Sequence, residues 1–229
     1  MSPAALGRPR LHLRRTDSTN ARARVLAEAG APDGTLVTAA EQTEGRGRQG
    51  RRWSAPAGSA LLMSLVLRDP PGLVPLAAAV AVAEVVGPSA QIKWPNDVLE
   101  GGRKVAGILV EGRPQEGWAI LGIGVNVAVG IDDLPAGLRA SAGTLGRSAR
   151  EIEPTLAALL EGLTRWLGAG QAAVLAAWRA RDALGGREVA WAGGRGIAAG
   201  IDGEGRLVVI LPGGGRAALH AGEVHLVGG

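Results

Sequence analysis

Residues 41–58, EQTEGRGRQGRRWSAPAG, separate two short apolar runs, Thr35 to Ala40 and Ala60 to Leu67, that read as β-strands. The segment contains the pattern GxGxxG after a strand, so a dinucleotide-binding βαβ unit is the first fold to weigh. That unit needs a helix opening at the last glycine, because the helix N-terminus receives the pyrophosphate. Trp53-Ser54-Ala55-Pro56-Ala57-Gly58 follows instead, which is poor helix material, and the Gly-Lys-Ser or Gly-Lys-Thr ending of a phosphate loop is absent. The chain therefore runs strand, long glycine-rich loop, strand, and an anion bound there falls to arginine side chains. Arg46, Arg48, Arg51 and Arg52 crowd into seven residues. Each charge-assisted bond to an anion is worth about 1.5 to 3 kcal/mol, so converging arginines can hold a ligand while the loop folds over it. The plain alternative is a solvated loop of like charges.

Around this loop the text predicts a mixed α+β domain with a largely antiparallel sheet. Leu11 and Leu13 alternate with polar neighbours as in a strand, and Asp17-Ser18-Thr19-Asn20 offers N-cap candidates before ARARVLAEA, a helix that Gly30 would end. A helix from about Leu73 to Val86 follows, then a strand ending at Lys93-Trp94, a Pro95-Asn96-Asp97 turn and a tight Gly101-Gly102 hairpin turn. Strands are expected near Lys104 to Glu111 and Trp118 to Val127, a surface loop over 128–150, and helices over Ile152 to Leu167 and Gln171 to Leu184. From Arg187 on, short β-like runs separated by glycine turns (REVAW, GIAAGI, RLVVIL, RAALHA, EVHLV) have the cadence of a small barrel of about five strands. Gly185-Gly186 marks the boundary, giving domains 1–184 and 185–229.

Composition narrows the class. The chain has 229 residues, no Cys, and 46% hydrophobic and 20% charged residues, so disulfides, thiolate metal sites and an enzyme-bound thioester are excluded. Polar TDSTNARAR follows Arg14-Arg15 where an export signal needs an apolar stretch, and the longest apolar run, Leu73 to Ala83, is far below the roughly 18 residues of a membrane span. A cytoplasmic location without membrane partners is expected. Net charge is +4, concentrated in the one arginine cluster, which fits a small anion better than a nucleic-acid track.

Broad bias toward Ala, Gly and Arg makes the exceptions informative. Only two of 25 basic residues are Lys, Lys93 and Lys104, and both fall in the segment KWPNDVLEGGRKVAGIL. An ammonium enters a tight site that a planar guanidinium does not fit, although rare residues also fall somewhere by chance. Lys93 at a strand end, Asp97 in the next turn and Lys104 at the head of the next strand can converge on one phosphate, with Asp97 holding Mg²⁺. Gly107 lets a ligand approach the backbone. The alternative is a hairpin with a surface ion pair; Trp94 reads as a packing residue. Ser18, Thr19 and Asn20, with Gln42 as a partner, suit a neutral polar group such as a urea, whereas an N-cap accounts for only one of them. GIGVNV, with Asn126, is a weaker signal for a strand that approaches a base, ribose or phosphate. His12, His220 and His225 lack metal-ligand spacing, and no Ser-His-Asp set is evident.

Taken together, DSTN, EQTEGRGRQGRRW, KWPNDVLEGGRKVAGILVE and GIGVNV, from about Thr16 to Val127, resemble the biotin protein ligase family, and GIAAGIDGEGRLVVI with AGEV looks like that family's small SH3-like barrel. The resemblance implies a catalytic domain of the class II aminoacyl-tRNA-synthetase-like type. It also implies an enzyme that joins biotin to the α-phosphate of ATP, with Mg²⁺, releases pyrophosphate, and passes the biotinyl group to one lysine of a biotin carboxyl carrier protein. By position, Ser18, Thr19, Asn20 and Gln42 would bind the biotin head group, with Gly45, Arg46, Gly47, Arg48, Lys104 and Gly107 completing the biotin site. Arg46, Arg48 and Arg51 would form the loop over the adenylate, Arg48 retaining the mixed anhydride. Lys104 would contact the reacting carboxylate and phosphate, and Lys93 and Asp97 the triphosphate and Mg²⁺. Trp53, Asn96 and Asn126 would lie on the nucleotide side.

Many bacterial relatives carry an amino-terminal winged helix-turn-helix; here fifteen residues precede Thr16, too few for that module, so a ligase without specific operator DNA binding is expected. A homodimer is left open. The rival enzyme is a lipoate ligase, which shares the adenylation logic but takes a dithiolane where the Ser-Thr-Asn set suits a urea. The rival from another class is a basic nucleic-acid-binding protein, with a steep salt dependence and no pyrophosphate release.

Overall fold

The computed structural model describes residues 6–113, 116–220 and 224–227. Strands β1 (Arg10–Leu13), β2 (Leu36–Ala39), β3 (Leu61–Arg68), β4 (Gln91–Lys93), β5 (Asp97–Glu100), β6 (Arg103–Arg113) and β7 (Trp118–Val125) form one sheet in the order β1-β2-β3-β7-β6-β5-β4. Only the β1–β2 pair is parallel, because helix α1 (Thr19–Glu28) connects those two strands while the other neighbours are antiparallel. The mixed, mainly antiparallel α+β expectation holds.

Two helical layers cover the sheet. On α1, the spacing of Thr19, Ala23 and Ala27 puts one small-residue stripe on the sheet, against Val37, Val66, Trp118 and Ile120. Helix α2 (Val74–Val86), apolar along nearly its whole length, is buried on the opposite face beneath α4 (Ile152–Leu167) and α5 (Gln171–Arg179). Gly162 of α4 sits over Ala81, and a Cβ there would lie 3.4 Å from the Ala81 Cβ, so small residues set that close helix crossing.

Three expectations change at their edges. Helix α5 stops at Arg179 rather than Leu184, because Ile92 N donates to Arg181 O and Ala183 N donates to Ile92 O, which turns residues 181–183 into a cover for the β4 edge. Strand β7 stops at Val125 rather than Val127, since the carbonyls of Asn126 and Val127 accept from Leu145 and Arg147 of the next loop. That loop, 128–150, contains the short helix α3 (Ala136–Arg139) and returns alongside β6, with Lys104 N donating to Ser141 O and Gly143 N to Lys104 O.

Strands β8 (Glu188–Trp191), β9 (Gly194–Ile201), β10 (Leu207–Ile210), β11 (Arg216–Leu219) and β12 (His225–Leu226) form a second sheet, antiparallel throughout, in the order β11-β10-β9-β8-β12. The five expected strands are present, but the barrel is not closed. Among the described residues β11 and β12 are the two edges, and β12 is two residues long with both paired to β8. Glu223, which opens the EVHLV run, lies outside the described residues. The core continues across position 185: Val189, Ala198, Ile201, Leu207 and Val209 join one cluster with Trp94, Trp178 and Leu184. Trp94 is 2% exposed and its Nε1 donates to Gly205 O at 3.0 Å, which fits its reading as a packing residue. No described helix is long and apolar enough to cross a membrane.

Candidate active site

Side chains alternate between the faces of a strand, so residues two apart share a face. On the α1 face of the sheet, β6 and β7 place Gly107 opposite Gly124 and Leu109 opposite Gly122. The three glycines remove the side chains that would otherwise fill a trough at the centre of the sheet. Other groups occupy the space that they leave: a Cβ on Gly124 would sit 2.6 Å from Trp53 Cε2, one on Gly107 3.0 Å from Trp53 Cζ3, and one on Gly122 would collide with Asn20 Oδ1. The Trp53 ring therefore lies across the Gly107–Gly124 pair, with Lys104 Nζ 5.7 Å from its centroid, a cation–π arrangement.

At one end of the trough, the start of α1 gathers polar side chains. Ser18 occupies the N-cap position with extended backbone but makes no side-chain capping bond; Thr19 N donates to Gln42 Oε1 at 2.7 Å, so Gln42 takes over that task from the next segment. Thr19 Oγ1 donates to the same oxygen at 3.0 Å. Ser64 Oγ donates to Asn20 Oδ1 at 2.6 Å and lies 2.8 Å from Thr19 Oγ1, while Asn20 Nδ2 donates to Glu111 Oε2 at 2.8 Å. Ser18, Thr19, Asn20 and Ser64 are all at most 5% exposed, so this is a buried, cross-linked polar cluster. The adjoining Asp17 carboxyl is held below the usual carboxylate range, first by the Ser18 backbone N–H and then by the Thr16 hydroxyl.

The arginine loop crosses above as an irregular hairpin. Trp53 N donates to Gly45 O and Gly47 N to Arg51 O, and a short 3₁₀ turn at Arg48–Gly50 is closed by Gln49 in the left-handed region. No helix opens after it, as the sequence indicated. Gly45 has no room for a side chain, since a Cβ there would run into Trp53 O. Two arginines tie the loop to opposite sides of the trough: Arg48 Nη1 donates to Asn96 Oδ1 at 3.2 Å, and Arg46 Nη1 stands 3.9 Å from Glu111 Oε1. Asn96 is itself fixed, because it exchanges hydrogen bonds with both backbone groups of Ile108.

At the far end, β4 and β5 set Lys93 opposite Asp97, and Lys104 Nζ reaches Asp97 Oδ1 at 2.7 Å. This is the ion pair of the plainer alternative, but it borders the cavity. Asn126 Nδ2 donates to Gly143 O at 2.8 Å, while its buried Oδ1 has no hydrogen-bond partner among the described residues. These groups border one cavity of about 480 Å³, within the usual range for small-molecule sites. Every predicted site residue except Gly45 borders it, Gly45 bordering instead a second recess of about 540 Å³ lined by the loop together with Leu109 and Glu111 of β6. No group of three or more His, Cys, Asp or Glu able to hold a metal ion occurs among the described residues.

Sequence reasoning missed Ser64 and Glu111, which knit Asn20 into place, and Val224 to Leu226, which form part of the cavity wall. Ser64 had a signal, the single polar residue inside the apolar run LLMSLVL, and Glu111 another, a carboxylate ending the apolar run GILV.

The sequence of residues 12–127 matches the biotin/lipoate A/B protein ligase family. The chain belongs to this family. Among relatives, a biotin–[acetyl-CoA-carboxylase] ligase from Paracoccus denitrificans is 40% identical over 94% of this chain and 100% of its own length. The bifunctional ligase/repressor BirA of Bacillus subtilis is 42% identical over 58% of this chain; the match spans 45% of that longer protein. Among solved structures, the biotin protein ligase from Aquifex aeolicus in complex with biotin and ATP superposes with a TM-score of 0.78 at 28% identity, covering 96% of this chain and 99% of that one. Within the biotin/lipoate ligase family, then, the glycine trough, arginine loop and Lys104–Asp97 pair are the parts of this member to which chemistry must be assigned.

Proposed function

We propose that this chain is an ATP-dependent biotin–protein ligase that makes biotinyl-5′-AMP and then biotinylates one lysine of a biotin carboxyl carrier protein. The observation that carries the reading is the match to the Paracoccus biotin–[acetyl-CoA-carboxylase] ligase along that protein's whole length, and the cavity supplies a chemistry consistent with it. In the first step a carboxylate oxygen attacks the α-phosphorus, the bond from that phosphorus to the β-phosphate bridge breaks, and pyrophosphate leaves. In the second the carrier's amine attacks the acyl carbon, AMP leaves, and the amine loses a proton. Both partners of the first step are anions, so positioning and charge neutralisation are what the protein must provide.

The Ser18, Thr19, Asn20 and Gln42 cluster takes the ureido head, a group with two N–H donors and one strong acceptor. Gly45, Arg46, Gly47 and Arg48 close over biotin and its adenylate, and Gly107 forms the floor. Lys104, beside Trp53, neutralises the reacting carboxylate and α-phosphate, and Arg48 holds the anhydride. Arg51 and Lys93 serve the phosphates, Trp53 and Asn96 border the nucleotide, and the unpartnered Oδ1 of Asn126 accepts from it. Magnesium would enter with the nucleotide: such an ion binds through one or two carboxylates plus phosphates, and Asp97, the one carboxylate bordering the cavity among the described residues, would contact it. Residues 1–184 form the catalytic unit on this reading, and 185–229 a small SH3-like module whose five antiparallel strands support that description.

The test is to incubate the protein with magnesium, α-labelled ATP and either biotin or lipoate. Biotin-dependent pyrophosphate and biotinyl-adenylate are expected, followed by label transfer when an apo carrier domain is added. Product with lipoate alone, or none from folded protein, would overturn the assignment.

A further inference from the structure

Glu111 lies at the junction of two systems that the proposed reaction uses at different stages. Its Oε2 accepts from Asn20 Nδ2 at 2.8 Å, which, with the Ser64 bond to Asn20 Oδ1, fixes which way the Asn20 amide points. Its Oε1 faces Arg46 Nη1 at 3.9 Å, an ionic contact to the rising limb of the arginine loop. The start of the turn at the loop's tip is held across the trough by the Arg48–Asn96 bond. Glu111 also lines the second recess, with Leu109 and the loop residues, so it stands where the loop meets the sheet.

We propose that Glu111 is a positioning residue with two separable tasks: one carboxylate oxygen orients Asn20 for the biotin head group, and its negative charge pins Arg46 and thereby the loop that retains the adenylate. The inference rests on the functional reading above for the identity of the ligand, but the pin itself is a property of the protein alone. The two tasks differ in what they require. Orienting Asn20 needs a hydrogen-bond acceptor, which a glutamine also offers; pinning a guanidinium needs charge, which glutamine lacks.

Glu111→Gln and Glu111→Ala separate them. Without any ligand, trypsin should cut Glu111→Gln after Arg46, Arg48, Arg51 or Arg52 at least three times faster than the parent, with an unchanged melting temperature. The same variant should bind biotin within about two-fold of the parent by calorimetry yet release preformed biotinyl-adenylate at least five times faster. Glu111→Ala should show the loop defect and weaken biotin as well. Parent-like cleavage and release in Glu111→Gln would overturn the pin, and so would a lowered melting temperature with all readouts failing together, which is the signature of a structural residue. Biotin binding as weak in Glu111→Gln as in Glu111→Ala would overturn the separation of tasks. The proteolysis comparison needs neither biotin nor ATP, so it still decides the pin if the parent proves not to bind biotin at all.

Discussion

The glycines of the β6–β7 trough are decided by what stands over them. A methyl on Gly122 collides with Asn20 Oδ1, so Gly122→Ala is expected to weaken biotin binding at least ten-fold, about 1.4 kcal/mol, in a calorimetric titration. Lys104 is confined between the Trp53 ring and Asp97. Lys104→Arg keeps the charge but brings a broader planar group, and single-turnover adenylate formation should fall ten-fold or more while the circular dichroism spectrum stays the same. A near-normal rate would show that charge alone suffices there. The two lysines were legible because arginine is used almost everywhere else. Trp53 was expected on the nucleotide side as an aromatic beside the arginines; that it lies on a glycine pair depends on the register between β6 and β7, which no local pattern encodes.

Among the elements, the arginine loop has the clearest division of labour. Arg48→Gly should leave the adenylate forming but leaking, and a filter-binding time course is expected to show faster loss than in the parent; undiminished retention would remove Arg48 from that role. Strand β1 and helix α4 are joined by Arg10, whose Nη1 donates to Glu153 Oε2 at 2.8 Å. That bond holds the Glu153 carboxyl below its usual range. A depressed acid stabilises the fold above its unfolded-state value and loses that contribution as pH falls through the folded one. Glu153→Gln should therefore lower the unfolding free energy slightly at pH 7, by less than about 1 kcal/mol because the pair is exposed to solvent, and the difference from the parent in denaturant unfolding should vanish in strong acid. Strands and helices were readable from period and breakers, since β3 and α2 are nearly uniform apolar runs bounded by turn residues. The early end of α5 was not, because Arg181 and Ala183 answer to Ile92, about ninety residues earlier.

For the whole molecule, the sheet of β8–β12 and the larger sheet share one core, and Trp94 links them through a buried hydrogen bond to Gly205 O. Trp94→Phe removes the bond to Gly205 O while keeping most of the ring; a loss of about 0.5 to 1.5 kcal/mol is expected in denaturant unfolding, with the single transition retained. Two separate transitions would mean that the sheets fold independently. At this scale the change of texture at Gly185 gave no sign that residues on both sides of it share one core, nor that Val224 to Leu226 wall the cavity. The Lys104–Asp97 pair has one more consequence. A biotinyl-phosphate anhydride acylates any nearby amine with an available lone pair, so on the proposed reading the protein must avoid becoming its own acceptor. The Lys104 amine is engaged with Asp97, and 23 of the 25 basic residues are arginines, so on the proposed reading an activated acyl group in the cleft would meet few competing amines before a carrier's lysine.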